Sequence, residues 1–197
     1  MHSYRDLRNS IVTLSIQILS IIFSILLALS LNEWKEGRNN KQLALTSLKN
    51  FKTELLNNKK AVEAAIRDQN AFLISLRKQT LTITPGKNAA IELPEINMPD
   101  VLATAWETAL VTRAMVYIDY DLTATLSELY LQQKWLSSLE DKVFQTIVSP
   151  YSLDRNNMEN LARSLYVSLK NIMQVETRLL AMYEAAVQMI EARIADR

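Results

Sequence analysis

The chain has 197 residues, with 22 basic and 21 acidic side chains, no cysteine and a single histidine, His2. The nearly balanced charge gives no electrostatic footprint for nucleic acid, so no nucleic-acid partner is expected. The absence of cysteine excludes disulfides, thiolate catalysis, iron–sulfur clusters and cysteine-ligated zinc. One histidine in the N-terminal tail leaves no catalytic triad and no histidine metal site.

The two glycines, Gly37 and Gly86, narrow the enzyme classes further. A loop that cradles phosphate needs several residues free to adopt positive φ close to the ligand, so nucleotide enzymes are disfavoured. We therefore expect a protein that is not an enzyme, with no catalytic residues, no metal site and no cofactor.

The segment from Ile11 to Leu31 carries no charge and spans roughly 31 Å as a helix, at about 1.5 Å per residue. This length predicts a transmembrane helix after an N-terminal tail of residues 1–10. A cleaved signal peptide is the alternative, because Arg5 and Arg8 form a basic n-region and residues 28–30 resemble a cleavage site. The apolar core exceeds the usual h-region of about 7–15 residues, which favours a retained signal anchor.

The charges that flank the membrane segment leave its orientation open. Two arginines lie before it and four basic residues follow it between positions 35 and 49, so a plain count puts the following domain in the cytoplasm. Large domains translocate with little regard to charge, and Glu33 and Glu36 dilute the second cluster. We therefore favour export of the domain to the periplasm.

After a juxtamembrane junction at residues 32–40, the sequence predicts a helical bundle over residues 41–197. Apolar residues recur at 3-4 spacing from residue 40 to 79 without proline or glycine, which indicates one long amphipathic helix. The same phase extends back through the membrane segment, as in a coiled coil, with a kink allowed at residues 37–40. The apolar positions are Leu45, Leu48, Leu55, Val62, Ile66, Leu73 and Leu76.

Prolines and Gly86 predict an irregular loop over residues 80–100, with short strands at 81–84 and 90–93. A short helix capped by Asp100 is then expected from Val101 to about Arg113. A turn and two longer helices should follow, the first capped by Asp119 or Asp121 and ending near Val148, the second capped near Asp154 or Asn156. The predicted fold class is all-α, an N-terminal transmembrane helix that continues into an antiparallel helical bundle.

A polar face inside the membrane segment is the first candidate site. Thr13, Gln17, Ser20 and Ser24 share one helix face, and Ala28 follows at small-xxx-small spacing; we call these five residues the membrane seam. The seam predicts association with a second copy or with another membrane protein, with Gln17 hydrogen-bonding across the interface. The alternative is that the hydroxyls bond to their own i−4 carbonyls and Gln17 is only tolerated.

The junction itself is the second candidate. Trp34 suits an interfacial aromatic belt and Lys35 can snorkel, so neither needs a partner. Asn32 and Glu33 lie at the edge of the apolar core, followed by Glu36, and a carboxylate there favours a donor from a neighbouring subunit.

The third candidate is a pocket built from aromatic and charged residues around the predicted turn, with Arg113 as an anion clamp. The alternative makes Trp106 a core residue, pairs Arg113 with Asp119 or Asp121, and uses the tyrosine hydroxyls to satisfy the turn. The residues of this possible pocket are Trp106, Arg113, Tyr117, Asp119 and Tyr130.

Three stretches carry a resemblance to a known family: Ile25 to Glu36, Ala105 to Thr108 and Leu126 to Tyr130. Together they resemble a bacterial family of uncharacterised single-pass membrane proteins, whose anchor ends in an Asn-x-Trp-x-Glu junction before a helical domain of unknown function. The resemblance covers Ile25 to about Trp135. It implies the bacterial inner membrane and no established activity, so it assigns no functional residues.

These observations predict a non-enzymatic, single-pass membrane protein whose helical domain is an interaction or assembly module of the bacterial envelope. The expected partners are the lipid bilayer and either further copies of the chain or another membrane protein. A ligand- or signal-sensing helical domain and a membrane effector remain the alternatives.

Overall fold

The computed structural model describes residues 3–82, 96–149 and 157–196. Within these residues the regular elements are all helical, so the predicted all-α bundle is confirmed. The chain divides into two compact units, Met1–Ala44 and Leu45–Arg197. The elements are α1 (Ser3–Thr82), α2 (Thr104–Val111), a 3₁₀ turn (Ala114–Tyr117), α3 (Tyr120–Ile147) and α4 (Met158–Ala195).

The first unit consists of the beginning of α1. Its large apolar side chains described between Leu14 and Trp34 are all exposed. By length and composition, α1 is the one helix of the described chain that could cross a membrane, which supports a single candidate span. Helical structure continues through Gly37, where an added Cβ would meet no atom within 4 Å.

Three long helices form the second unit. Ion pairs join Lys52 of α1 to Glu191 of α4 at 2.7 Å and Lys59 to Glu184 at 2.6 Å, so the two helices run antiparallel. Helix α3 packs against α4. Asp119, just before the first residue of α3, forms an ion pair at 2.8 Å with Arg193 in the last turn of α4. Because α4 runs antiparallel to both α1 and α3, the unit is an antiparallel bundle.

The apolar positions predicted for α1 largely form its core face. Leu48, Leu55, Val62, Leu73 and Leu76 are buried, while Leu45 and Ile66 are half-buried. The core also takes in side chains that the prediction left out, because the buried positions recur at regular 3-4 steps from residue 44 to 76. This buried face comprises Ala44, Leu48, Phe51, Leu55, Asn58, Val62, Ala65, Gln69, Phe72 and Leu76.

Two predicted helix starts have different outcomes. Asp119 caps α3 as predicted, since its Oδ1 accepts the Leu122 N–H at 3.1 Å. The predicted cap of α2 by Asp100 is wrong. Helix α2 begins at Thr104 and has no side-chain cap from the preceding residues; Glu54 of α1 accepts the Ala105 N–H instead.

The predicted loop and the predicted cap of the last helix lie partly within the residues that the structure describes. Helix α1 extends to Thr82, so the first residues of the strand predicted at 81–84 are helical. The rest of that strand, the strand at 90–93 and the caps at Asp154 or Asn156 lie outside the described residues. Helix α4 begins at Met158, and Asn157 before it makes no side-chain cap bond.

Candidate functional site

The interior of the second unit contains a set of polar side chains, of which sequence reasoning singled out only Tyr130. Burying a polar group costs free energy unless a hydrogen bond replaces its water, so each of these groups needs a partner. We call the set the buried polar network: Glu54, Asn58 and Gln69 on α1, Tyr130, Gln133 and Glu140 on α3, and Glu176 and Tyr183 on α4.

Glu54 connects three helices. Its Oε1 accepts the Tyr130 hydroxyl at 2.7 Å and its Oε2 accepts the Ala105 N–H at 2.8 Å. The second bond satisfies a donor in the first turn of α2, where the helix dipole also favours a carboxylate. Burial and the bond to Glu54 raise the pKa of Tyr130 above its ordinary value, so the hydroxyl stays a donor.

Trp106 and Tyr130, both from the predicted pocket, lie together beside this carboxylate. Their rings stack with centroids 5.2 Å apart, and the Phe51 ring packs 6.5 Å from Trp106 and 6.2 Å from Tyr130. Aromatic pairs at such distances stabilise a core beyond their buried area. These three rings therefore fill the space next to Glu54.

The other members of the predicted pocket lie at the α2–α3 turn. Arg113 is exposed and adopts a left-handed backbone with φ 59°, and Tyr117 belongs to the 3₁₀ turn. Asp119 pairs with Arg193 of α4 through contacts of 2.8 and 3.3 Å, so Arg193 occupies the role expected of Arg113. This hydrogen-bonded guanidinium lowers the pKa of Asp119.

Asn58 holds the backbone that leads into α2. Its Nδ2 donates to the Leu102 carbonyl at 2.7 Å, and its Oδ1 accepts the Leu102 N–H at 2.9 Å. Gln133 Nε2 donates to the same carbonyl at 3.3 Å. A side-chain amide thus replaces the two hydrogen bonds that a neighbouring strand would supply.

Gln69 makes the corresponding contact farther along α1. Its Nε2 lies 3.1 Å from the Asn97 carbonyl and 2.8 Å from Glu176 Oε1. The segment from Asn97 to Leu102 therefore runs antiparallel to α1, with its ends held by Gln69 and Asn58. The lengths agree, because eleven helical steps and five extended steps both cover roughly 16 Å.

Glu140 and Glu176 are the titratable groups of this network near neutrality. Burial raises the pKa of Glu176 to about 7, against the lowering effect of the bond from Gln69. Burial, with the charges of Glu176 and Asp141, raises the pKa of Glu140 to about 7. Glu140 Oε1, Glu176 Oε2 and the Tyr183 hydroxyl have no hydrogen-bond partner in the described part of the chain.

This arrangement can bind and release protons inside the bundle. A protonated carboxyl supplies a donor that a carboxylate lacks, so proton binding suits an interior with spare acceptor oxygens. Across residues 3–82, 96–149 and 157–196, no group of three or more histidine, cysteine, aspartate or glutamate side chains could hold a metal ion.

The membrane seam lies on an exposed face of the first unit. Gln17, Ser20, Ser24 and Ala28 are exposed, whereas the side chain of Thr13 lies outside the description. The Ser24 hydroxyl donates to the Ser20 carbonyl at 2.8 Å, which is the local bond of the alternative interpretation. Gln17 presents its amide among exposed apolar side chains.

The junction residues are exposed as well. Asn32, Glu33, Trp34 and Glu36 all belong to α1 and have solvent-accessible side chains. The Arg38 guanidinium carbon lies 5.9 Å from the centre of the Trp34 ring, a cation–π distance. This contact places a positive charge beside the indole for which the sequence predicts an interfacial position.

Comparisons with protein-family models, with curated protein sequences and with solved structures find no match for this chain.

Proposed function

We propose that this chain is a non-enzymatic, single-pass membrane protein whose helical domain serves as an interaction or assembly module in the bacterial envelope. Residues 11–31 anchor it in the inner membrane as a retained signal anchor, and the domain faces the periplasm. The proposal rests on the exposed apolar surface of the first unit, which carries no charge over a bilayer's width and has a polar seam.

The interior of the second unit favours assembly over ligand sensing. The space beside Glu54 is occupied by the rings of Phe51, Trp106 and Tyr130. Asn58 and Gln69 bind the protein's own backbone. An interior already occupied in this way leaves surfaces, and the seam above all, as the natural places for a partner.

Single-cysteine crosslinking tests association through the seam, and the cysteine-free chain needs no prior substitution. Ser20→Cys and Ser24→Cys are placed on the seam, and Leu19→Cys and Leu26→Cys serve as matched controls on the opposite face. In native membranes, mild oxidation should give at least about fivefold more crosslinked product at the two seam positions. Equal crosslinking on both faces, or none at either, overturns the seam as an interface between copies of the chain.

A crosslink of twice the chain mass identifies a second copy, and a crosslink of any other mass identifies a different membrane protein with a cysteine at the contact. Replacing Ser20 and Ser24 together by leucine should then lower the yield from a cysteine at Ala28, because bulky side chains keep the backbones apart. Replacing Ile18 and Ile22 by leucine is the control and should leave that yield unchanged.

Orientation is tested by fusions placed after Arg197. Alkaline phosphatase, which folds only in the periplasm, should be active, and a green fluorescent protein exported by the same route should stay dark. The reverse pattern overturns the periplasmic placement and leaves the membrane anchor intact.

A further inference from the structure

The extended stretch of residues 96–103, which leads into α2 and which we call the docked segment, is attached to the bundle mainly through its backbone. Pro99 is its one fully buried side chain. Gln69 binds the backbone carbonyl of Asn97 near its beginning, and Asn58 binds the backbone near its end. A stretch with few buried apolar contacts lies at the low end of local stability, so the loss of one such bond can release one end of it.

A single amide nitrogen joins the docked segment to a carboxyl group of α4. Gln69 Nε2 has two hydrogens to donate, and it lies 3.1 Å from the Asn97 carbonyl oxygen and 2.8 Å from Glu176 Oε1. The side chains of Gln69 and Glu176 are fully buried, and the Met98 sulfur lies 3.9 Å from the same nitrogen. A change in the hydrogen bonds that Glu176 needs therefore acts directly on the bond that holds Asn97.

The other oxygens of these two side chains complement each other only when Glu176 carries a proton. Gln69 Oε1 and Glu176 Oε2 both lack a hydrogen-bond partner among the residues that the structure describes. Two acceptors cannot bond to each other, but a protonated Oε2 is a donor. A carboxylic acid and a primary amide then form a ring of two hydrogen bonds. The contact of 2.8 Å between Nε2 and Oε1 is one half of that ring, and the proton supplies the other half.

Loss of the proton changes what Glu176 requires from Gln69. The proton passes to water, and Oε2 becomes a second acceptor that needs a donor. The second N–H of Gln69, which binds the Asn97 carbonyl, belongs to a side chain already in contact with this carboxylate. A hydrogen bond to a charged acceptor is roughly twice as strong as one between neutral groups, so the carboxylate draws this N–H away from Asn97.

The surroundings of Glu176 favour its protonated form in the folded chain. Burial raises its pKa to about 7. In the docked segment, residues 96–99 have no titratable side chain and Asp100 is exposed. None of the titratable groups around Glu176, whether beside it or reached through one neighbour, is a cation that would compensate its ionised form. These groups are Glu54 and Asp68 on α1, Glu140 and Asp141 on α3, and Tyr183 on α4.

We propose that Gln69 and Glu176 form a proton-operated latch, in which a proton on Glu176 lets Gln69 hold the docked segment at Asn97 and loss of that proton releases this end of the segment. The Asn58 end stays attached, because its bonds join an amide to a peptide group and do not titrate. The latch lies within the second unit, so it does not depend on the membrane anchor or on the seam. The second unit thereby presents different surfaces to a partner below and above neutral pH.

Oxidation of methionine by hydrogen peroxide tests the latch in the full chain in detergent. A thioether has no proton to lose, so its own reactivity does not follow pH. Met98 is half-buried in the docked segment, and Met182, half-buried on α4, is the internal control. Mass spectrometry measures both oxidation rates. The ratio of the Met98 rate to the Met182 rate should rise at least about fivefold from pH 6 to pH 8, because the segment is released as Glu176 ionises.

Three variants assign the response to the latch. Glu176→Gln cannot ionise and should keep the ratio low at pH 8. Glu140→Gln is the matched control at the other buried carboxyl whose pKa is about 7, and it should keep the rise. Gln69→Leu removes the donor to Asn97 and should give the high ratio at both pH values, with circular dichroism to check that the chain stays helical.

A ratio that stays constant in the parent protein overturns the latch, including the case in which both methionines become more reactive because the whole bundle loosens. A rise that persists in Glu176→Gln, or one that disappears in Glu140→Gln, shows that another group titrates and overturns the assignment to Glu176.

Discussion

The two parts of helix α1 differ in which side chains are exposed and which are buried. Between Leu14 and Trp34 the apolar side chains are exposed, whereas Glu54, Asn58 and Gln69 farther along are buried. The surroundings of each part determine whether apolar or polar side chains can be removed from water at little cost in free energy. A bilayer suits an apolar exterior, and buried amides are stable where the chain's own backbone supplies their hydrogen bonds. One helix thus contains both a candidate membrane span and a segment that belongs to a bundle with buried polar side chains.

The largest expected effect comes from removing the carboxylate that joins three helices. Glu54→Ala leaves the Tyr130 hydroxyl and the Ala105 N–H without acceptors and should lower the free energy of unfolding by about 3 kcal/mol. Glu107→Ala, an exposed carboxylate on α2, should change it by less than about 0.5 kcal/mol. Urea unfolding of the full chain in detergent, followed by circular dichroism, measures both. Equal losses of unfolding free energy in the two variants would contradict a stabilising role for the buried polar network.

Asn58 offers the next test, because its neighbour Asn57 is an exposed asparagine on the same helix. Asn58→Ala should cost about 2 kcal/mol through the two lost bonds to Leu102, and Asn57→Ala should cost a few tenths at about the level of a surface substitution. Asn58→Asp keeps the acceptor but sets a carboxylate against the Leu102 carbonyl, so it should be no better than alanine. Full stability in Asn58→Asp would contradict the two-bond arrangement.

The buried carboxyls predict a dependence of stability on pH. Glu140 and Glu176 hold protons more tightly in the folded chain, with pKa about 7, than in the unfolded chain, whose glutamates titrate near pH 4.3. The folded state therefore binds more protons between these values, and the free energy of unfolding falls as pH rises from about 4.5 to 7. Both carboxyls contribute to this fall, since each tenfold change in proton affinity is worth about 1.4 kcal/mol.

Glu176→Gln isolates one of the two groups. The variant should match the parent at pH 5 and unfold at a higher temperature at pH 8, because no charge is then buried beside Gln69. Glu107→Gln, at an exposed position on α2, should leave the slope unchanged. A parent protein whose melting temperature rises from pH 5 to pH 8 would contradict the raised pKa values.

The smallest expected effect concerns the left-handed residue of the turn. Arg113 has φ 59°, a conformation that glycine adopts without steric cost, so Arg113→Gly should stabilise the protein by up to about 1 kcal/mol. Arg67→Gly, in the middle of α1 at an exposed position, should instead destabilise it by about 1 kcal/mol. Thermal unfolding of both variants measures whether each substitution raises or lowers the stability. Destabilisation by Arg113→Gly would mean that contacts of the arginine side chain contribute more to stability than the left-handed backbone costs.

Periodicity predicted the helices and most of their core, because a 3-4 apolar pattern depends only on local geometry. The same periodicity could have found part of the buried polar network. Asn58 and Gln69 stand at steps of the 3-4 series that passes through Leu48, Leu55 and Val62. Polar residues at such positions are candidates for buried, specific contacts.

The role of Glu54 could not have been predicted in this way. Its carboxylate oxygens accept hydrogen bonds from Ala105 and Tyr130, which are 51 and 76 positions away along the chain. Asp100 satisfied the local rule for a helix cap, but a side chain from another helix performs that task in the folded protein. Contacts set by tertiary packing leave no signature in a local pattern.

The membrane anchor is the basis of the proposed function, and alkaline extraction of membranes tests it most directly. The full chain carries one epitope tag before Met1 and another after Arg197, and both are detected in the pellet and in the supernatant. We expect an intact chain with both tags to stay in the membrane pellet, because residues 11–31 remain in the bilayer. A shortened chain that keeps only the second tag and appears in the supernatant would show a cleaved signal peptide and contradict the membrane anchor.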